Sequence, residues 1–262
     1  MPVDTESIAD AETEPAGDST RASVATPRAH ASDHGDIAPG DCLGRYTVTR
    51  LLGAGGMGQV YAAADPELGR TVALKVIHQD RISSPQARLR LVREAQALAL
   101  VRHPNVVTVH DIGADDDPMF IAMELVEGVT LDTWLAETTR SWREIVTTFL
   151  AAARGLVAAH AAGIIHRDFK PSNVIVAKDR VVVVDFGIAR IGDDVETVDT
   201  KTTDRSVLGV QLTETGTQLG TVGYMAPEQA GAGEVTAKAD QYAFCVALWE
   251  ALWGRQDRKS VV

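Results

Sequence analysis

The alternation of apolar and polar residues starts abruptly. Residues 1–42 have no period: Ala, Ser, Thr, Pro and Gly separate acidic residues, and no aromatic occurs. From Gly44 onward, Tyr46 to Leu52 alternates and is β-branched, which predicts a strand. Gln59 to Ala64 and Thr71 to Ile77 predict two more. Ser83-Ser84-Pro85 then reads as an N-cap followed by proline at the first helical position. The helix it opens is expected to run to about Val101, with Leu89, Val92, Ala95 and Leu98 near helical spacing. Val106 to Ile112 and Met119 to Leu125 predict strands. The middle of the chain reads as helical, with Ser141-Trp-Arg-Glu144 as a capping box and Gly163 as the stop. Val174 to Val176 and Val181 to Val184 predict short strands. Residues 191–220 are polar and rich in Thr and Asp. Thr236 to Trp253 predicts a last helix, apolar nearly all round and so expected to be buried on all sides. The order predicts an α+β chain: a strand-rich lobe with one main helix, then a mostly helical lobe.

Composition sharpens these boundaries. The 262 residues carry 25 Lys+Arg and 36 Asp+Glu, a net charge of −11. Nine of the acids but only Arg21 and Arg28 among the bases fall in residues 1–42, so −7 of that charge belongs to this stretch. Such a segment buries too little apolar surface to offset its ordering entropy and reads as disordered. The acidic balance argues against nucleic acid as a partner. No apolar run approaches the roughly 20 residues that span a bilayer, and no secretory signal opens the chain. Cys42 and Cys245 make neither a disulfide framework nor a zinc site. A cytoplasmic location is expected, with membrane anchoring of a longer parent through a C-terminal segment as the alternative.

Several short motifs carry chemistry. Gly53-Ala-Gly55-Gly-Met-Gly58-Gln-Val60 lies between two predicted strands. Alone it reads equally as a flexible hairpin turn. No helix opens at its third glycine, so it is not a dinucleotide fingerprint. A strand, glycine loop and strand instead make a lid whose backbone N–H groups can approach phosphates. Lys75 sits within the apolar run Val72-Ala-Leu-Lys75, where an unpaired ammonium is costly. Glu94, the only acid on the following helix, is its expected partner. Further on come His166-Arg-Asp168-Phe-Lys170-Pro-Ser-Asn173, Asp185-Phe186-Gly187 and Ala226-Pro227-Glu228.

Taken in this order and spacing, the motifs make residues 44 to 254 resemble a eukaryotic-like protein kinase of the bacterial Ser/Thr type. The resemblance implies a bilobal fold, with the smaller lobe over residues 43–126 and the larger over 127–254. It implies ATP as phosphoryl donor and Mg²⁺, with Mn²⁺ as a substitute. Asp168 would orient the substrate hydroxyl and accept its proton. Lys170 would neutralise the transferring group, and Lys75 with Glu94 would hold the α- and β-phosphates. Asn173 and Asp185 match the metal ligands. Gly53, Gly55 and Gly58 would cover the phosphates. Val60, Ala73 and Ile175 would sandwich adenine, beside Met123 as gatekeeper and the backbone of Glu124 and Val126 as hinge. His166, Phe186, Leu98 and Val109 match a stack that locks the active arrangement, and Asp240 matches an acid anchoring the catalytic loop. Thr213 and Thr215 are expected sites of autophosphorylation, and Thr221 is expected to face the substrate. Partners would be proteins bearing Ser or Thr, and domains that bind phosphothreonine. A small-molecule phosphotransferase shares part of the catalytic loop, but Ala226-Pro227-Glu228 tells against it.

The resemblance also implies several more helices after Gly254, including an arginine to pair with Glu228. Phe244, Leu248, Trp249, Leu252 and Trp253 are therefore expected to lose part of their cover. Residues 255–262 break the helical pattern and read as an atypical tail. Read-through into foreign sequence and a genuine basic terminus are its two explanations. A nucleotide-binding scaffold without phosphotransfer is the alternative function.

Overall fold

The computed structural model describes residues 37–55, 58–78, 82, 84–114, 116, 118–187, 223–230 and 235–254. The first lobe is an antiparallel sheet. Its strands are β1 (Cys42–Leu43), β2 (Tyr46–Gly55), β3 (Gly58–Asp65), β4 (Arg70–Ile77), β5 (Val109–Gly113) and β6 (Phe120–Glu124), in the order β1-β2-β3-β4-β6-β5. Alternation gives the sheet two apolar faces. Tyr46, Val48, Tyr61, Leu74 and Phe120 form the outer one, and Ala73, Ile77, Ile121 and Met123 the inner one. Ile37 packs on the outer cluster, and Gly40 N–H donates to Val48 O at 2.8 Å. Residues 37–41 are thus held to the sheet, although composition alone groups them with the acidic stretch.

Helix α1 (Pro85–Leu100) covers the inner face. Ser84 caps it, its hydroxyl accepting the Ala87 N–H at 3.1 Å, and Pro85 follows at the first turn. Its buried stripe is Ala87, Leu91, Ala95 and Leu98. Leu89, expected on this face, is 57% exposed. It lies two residues from both Ala87 and Leu91, about 200° round the helix.

The strand expected over Val106 to Ile112 divides in two. Val106 bridges in parallel to Val183, while β5 begins only at Val109. Asn105 Nδ2 donates to Val181 O at 2.6 Å and ties this segment to the second lobe. There, β7 (Val129–Thr130), β8 (Val174–Val176) and β9 (Val181–Val183) form a small sheet in that order. Helix α2 (Leu131–Glu137) precedes α3 (Trp142–Ala161). The Ser141–Glu144 capping box is complete, and Gly163 takes φ 78° just past the helix end. Gly155 lets α3 press onto the connecting segment: a Cβ there would lie 2.3 Å from Asn105 O.

Helix α4 (Ala237–Trp253) packs on α3, with the Phe149 and Phe244 rings 5.6 Å apart. It is not buried all round. Ala239, Asp240, Ala243 and Ala247 face inward. Trp249 is 41% and Trp253 68% exposed, while Phe244, Leu248 and Leu252 stay half-buried. Among the described residues, α3 covers one side of α4 and nothing covers the other, so apolar composition alone overstates its burial.

Candidate active site

The site lies where the inner face of the first sheet meets the second lobe. Strand register places the upper wall. Val60 pairs with Lys75, and Ala73 pairs with both Ala62 and Met123, so Val60, Ala73, Lys75 and Met123 share one face. Glu124 and Val126 follow at the chain's crossing between lobes, and Ile175 lies below on β8. The glycines of the β2–β3 hairpin differ in what demands them. Gly58 has φ 141°, and a Cβ there would lie 2.0 Å from Val76 O. Among the described residues, Gly53 and Gly55 have nothing within 4 Å of a Cβ, so no described neighbour requires glycine at either place.

The Lys75 side chain is 4% exposed and donates to Asp185 Oδ1. The pairing expected with Glu94 is therefore not the one made: the ammonium lies on Asp185, and Glu94 sits half-buried on α1. A buried cation requires a carboxylate, and the end of β9 supplies one across the cleft. Burial, the largest influence, pushes the Asp185 carboxyl up, but the Lys75 charge and hydrogen bond together with the nearby His166 and Lys170 hold it below the ordinary aspartate value.

The loop after α3 carries the second cluster. Asp168 is buried, and its Oδ2 lies 3.0 Å from Lys170 Nζ. Asn173 Nδ2 donates to Asp168 O at 2.9 Å and to its Oδ2 at 3.2 Å. That leaves Asn173 Oδ1 as the oxygen a hard cation would take. Two side chains and phosphate oxygens suffice for Mg²⁺. No group of three or more His, Cys, Asp or Glu suited to a metal occurs among the described residues.

His166 is fully buried. Its Nε2 meets Val184 O at 3.0 Å, and its Nδ1 accepts the Asp168 N–H at 3.3 Å. A carbonyl can only accept, so Nε2 carries the proton and the ring is neutral. Burial pushes its pKa below the usual histidine value, against the pull of Asp240. The ring stacks at 4.7 Å on Phe186, which shares one apolar cluster with Leu98 and Val109.

Two non-glycine residues take left-handed backbone here: Arg167 at φ 63° and Asp185 at φ 60°. Such strain costs on the order of 1–3 kcal/mol per residue and persists only where surrounding bonds hold it. Asp240, 1% exposed, supplies them for the loop: Oδ2 accepts His166 N–H and Oδ1 accepts Arg167 N–H, both at 2.7 Å. Gly187 N–H donates to His166 O at 2.8 Å, too close for any side chain at Gly187.

Sequence reasoning missed three supports. His160 Nε2 meets Asp240 Oδ2 at 2.7 Å. Gln229 Nε2 donates to Arg167 O at 2.7 Å. Arg180 donates to Glu124. No local pattern marks any of these residues. Glu228 is half-buried and makes no ion pair among the described residues. Thr213, Thr215 and Thr221 lie outside the described residues.

Known proteins resemble this chain in sequence and in fold. The Protein kinase domain family matches residues 46–259. The chain is 40% identical over 227 residues to serine/threonine-protein kinase PknH of Mycobacterium bovis, covering 85% of this chain and 35% of that one. It is 39% identical over 219 residues to PknD of Mycobacterium tuberculosis, covering 82% and 30%. The chain thus spans about a third of these relatives. The crystal structure of the M. tuberculosis PknI kinase domain superposes with a TM-score of 0.65 at 28% identity, covering 86% of this chain and 80% of that one.

Proposed function

The chain belongs to the protein kinase domain family, and on that premise we propose that it transfers the γ-phosphoryl group of ATP to Ser and Thr hydroxyls of proteins. One observation carries this reading. The Lys75–Asp185 pair and the Asp168–Lys170–Asn173 cluster face one cleft, beneath a hairpin where no described neighbour requires glycine at Gly53 or Gly55. A ligand passing close to their backbone explains both glycines.

In this reading Val60, Ala73 and Ile175 enclose adenine beside Met123, and the backbone of Glu124 and Val126 reads its edge. Gly53, Gly55 and Gly58 bring N–H groups to the phosphates, which Lys75 binds. Asn173 and Asp185 would hold Mg²⁺, or Mn²⁺ in its place. When bound, the ion neutralises charge on the phosphate oxygens. Asp168 accepts a hydrogen bond from the incoming hydroxyl, aligns its oxygen, and takes its proton as the new P–O bond forms and the bond from the γ-phosphorus to the β,γ-bridging oxygen breaks, leaving ADP. Lys170 stabilises charge on the transferred group. Glu94, on α1, is proposed to orient Lys75 when nucleotide is bound. Thr213 and Thr215 are the proposed autophosphorylation sites, Thr221 faces the substrate, and phosphothreonine-binding domains are proposed partners. The setting is proposed to be the cytoplasm; no helix among the described residues is long and apolar enough to cross a membrane.

The test is label transfer from γ-labelled ATP to a generic protein substrate. Wild type should label the substrate and itself, and Asp168→Asn should lose at least a hundredfold in rate. Nucleotide binding with no transfer in wild type would refute the enzyme reading and leave a nucleotide-binding scaffold. Label entering a small alcohol or aminoglycoside but no protein would refute the substrate class.

A further inference from the structure

We propose that Arg180 is a positioning residue for nucleotide binding. From the turn between β8 and β9 it holds the Glu124 side chain behind the hinge, and so sets the spacing between roof and floor of the adenine slot. The proposal rests on the reading that this cleft takes ATP.

Register decides which way Glu124 points. Met123 pairs with Ala73 on the inner face, so Glu124, opposite Val72, points to the outer face with Val72. Its backbone can then line the cleft while its carboxylate lies behind it. The peptide at Glu124 is already fixed from above, its N–H donating to Thr108 O at 2.8 Å. From below, Arg180 Nη2 donates to Glu124 Oε1.

Arg180 belongs to the second lobe. Ala177 N–H donates to its carbonyl at 2.9 Å, closing the turn. The turn joins β8, which carries Ile175 in the floor, to β9, which leads to Asp185. A second contact lies at the far end of the crossing. A Cβ on Gly128 would stand 2.6 Å from Val176 O, so the chain there rests directly on β8. Two attachments on one strand pair, at Gly128 and at Glu124, resist rotation of one lobe against the other. Without Arg180, Gly128 alone holds the hinge side to this strand pair, while Asn105 still ties the segment before β5 to β9, so the slot loosens on its hinge side only. The side chains of Arg180 and Glu124 are 33% and 25% exposed, so water screens the pair and its effect is modest.

The experiment uses the full chain, a fluorescent ATP analogue with Mg²⁺, and stopped-flow kinetics. Wild type, Arg180→Ala, Glu124→Gln, Arg180→Lys and the Arg180→Ala/Glu124→Gln double variant are compared. Arg180→Ala and Glu124→Gln should each weaken binding about two- to fivefold, mainly through faster dissociation. The double variant should be no weaker than either single one, and Arg180→Lys should recover part of the loss. In turnover, Arg180→Ala should raise the KM for ATP and leave kcat and the KM for protein substrate unchanged. Arg180→Ala that binds and releases nucleotide as wild type does, or single losses that simply add, overturns the proposal while the kinase reading stands. A wild-type chain that binds no nucleotide overturns both.

Discussion

Asp240→Asn isolates the clasp that holds the catalytic loop. The carboxylate accepts two backbone N–H groups and meets His160, all at 2.7 Å, in a place 1% exposed to solvent. Asparagine has the same shape but only one acceptor oxygen. It can take one backbone N–H, while its amide N–H₂ confronts the other donor. The substitution therefore loses one charge-assisted hydrogen bond, about 1.5–3 kcal/mol, and leaves one buried N–H unmet, about 1–3 kcal/mol. Arg167, freed from φ 63°, returns roughly 1 kcal/mol as its backbone relaxes. The net loss is about 1.5–5 kcal/mol, a large part of the ~5–15 kcal/mol that stabilises a domain. Urea unfolding of the full chain measures it as a lower midpoint at unchanged slope. Phosphotransfer measured in water should fall as well, since Asp168 follows Arg167 directly. A variant within about 0.5 kcal/mol of wild type, with full activity, would show that Asp240 does not hold the loop.

Two further predictions follow from the glycines and from His166. Gly53→Ala and Gly55→Ala should leave the melting temperature unchanged, because a Cβ meets no described residue within 4 Å at either position, yet weaken ATP binding in a titration. Unchanged affinity in both would remove the phosphate-cover role, while Gly58→Ala should lower stability through its φ of 141°. His166 has a folded pKa below its usual 6.5, so it binds fewer protons folded than unfolded. Its contribution is complete above pH 6.5 and is lost as pH falls below that, at up to about 1.4 kcal/mol per pH unit. Unfolding free energies at pH 7.5 and 5.5 should differ less in His166→Gln than in wild type; equal differences would refute a buried neutral ring.

Much of this molecule is legible locally. Ser84-Pro85 and Ser141 with Glu144 mark helix starts because a cap is made within three residues of itself. Gly163 marks a stop because only its own backbone must turn left-handed. Leu89 lies off the buried face because successive i, i+3 steps drift round the helix, whereas Ala87, Leu91, Ala95 and Leu98 keep its 3.6-residue period. Val106 was misplaced because its partner, Val183, belongs to the other lobe. Apolar composition likewise overstated the burial of α4, since cover depends on neighbours that the helix sequence does not contain.

The sequence by itself determined which residues gather at the site. The glycine hairpin, Lys75, the His166–Asn173 loop and Asp185 can be read in order along the chain, each carrying its own chemistry. Tertiary structure alone decided the partners. Lys75 meets Asp185 across 110 residues, His166 meets Asp240 across 74, and Arg180 meets Glu124 across 56. Side-chain type states that a buried charge needs a counter-charge. Which one answers it depends on the distances left once sheet, helices and loops have packed.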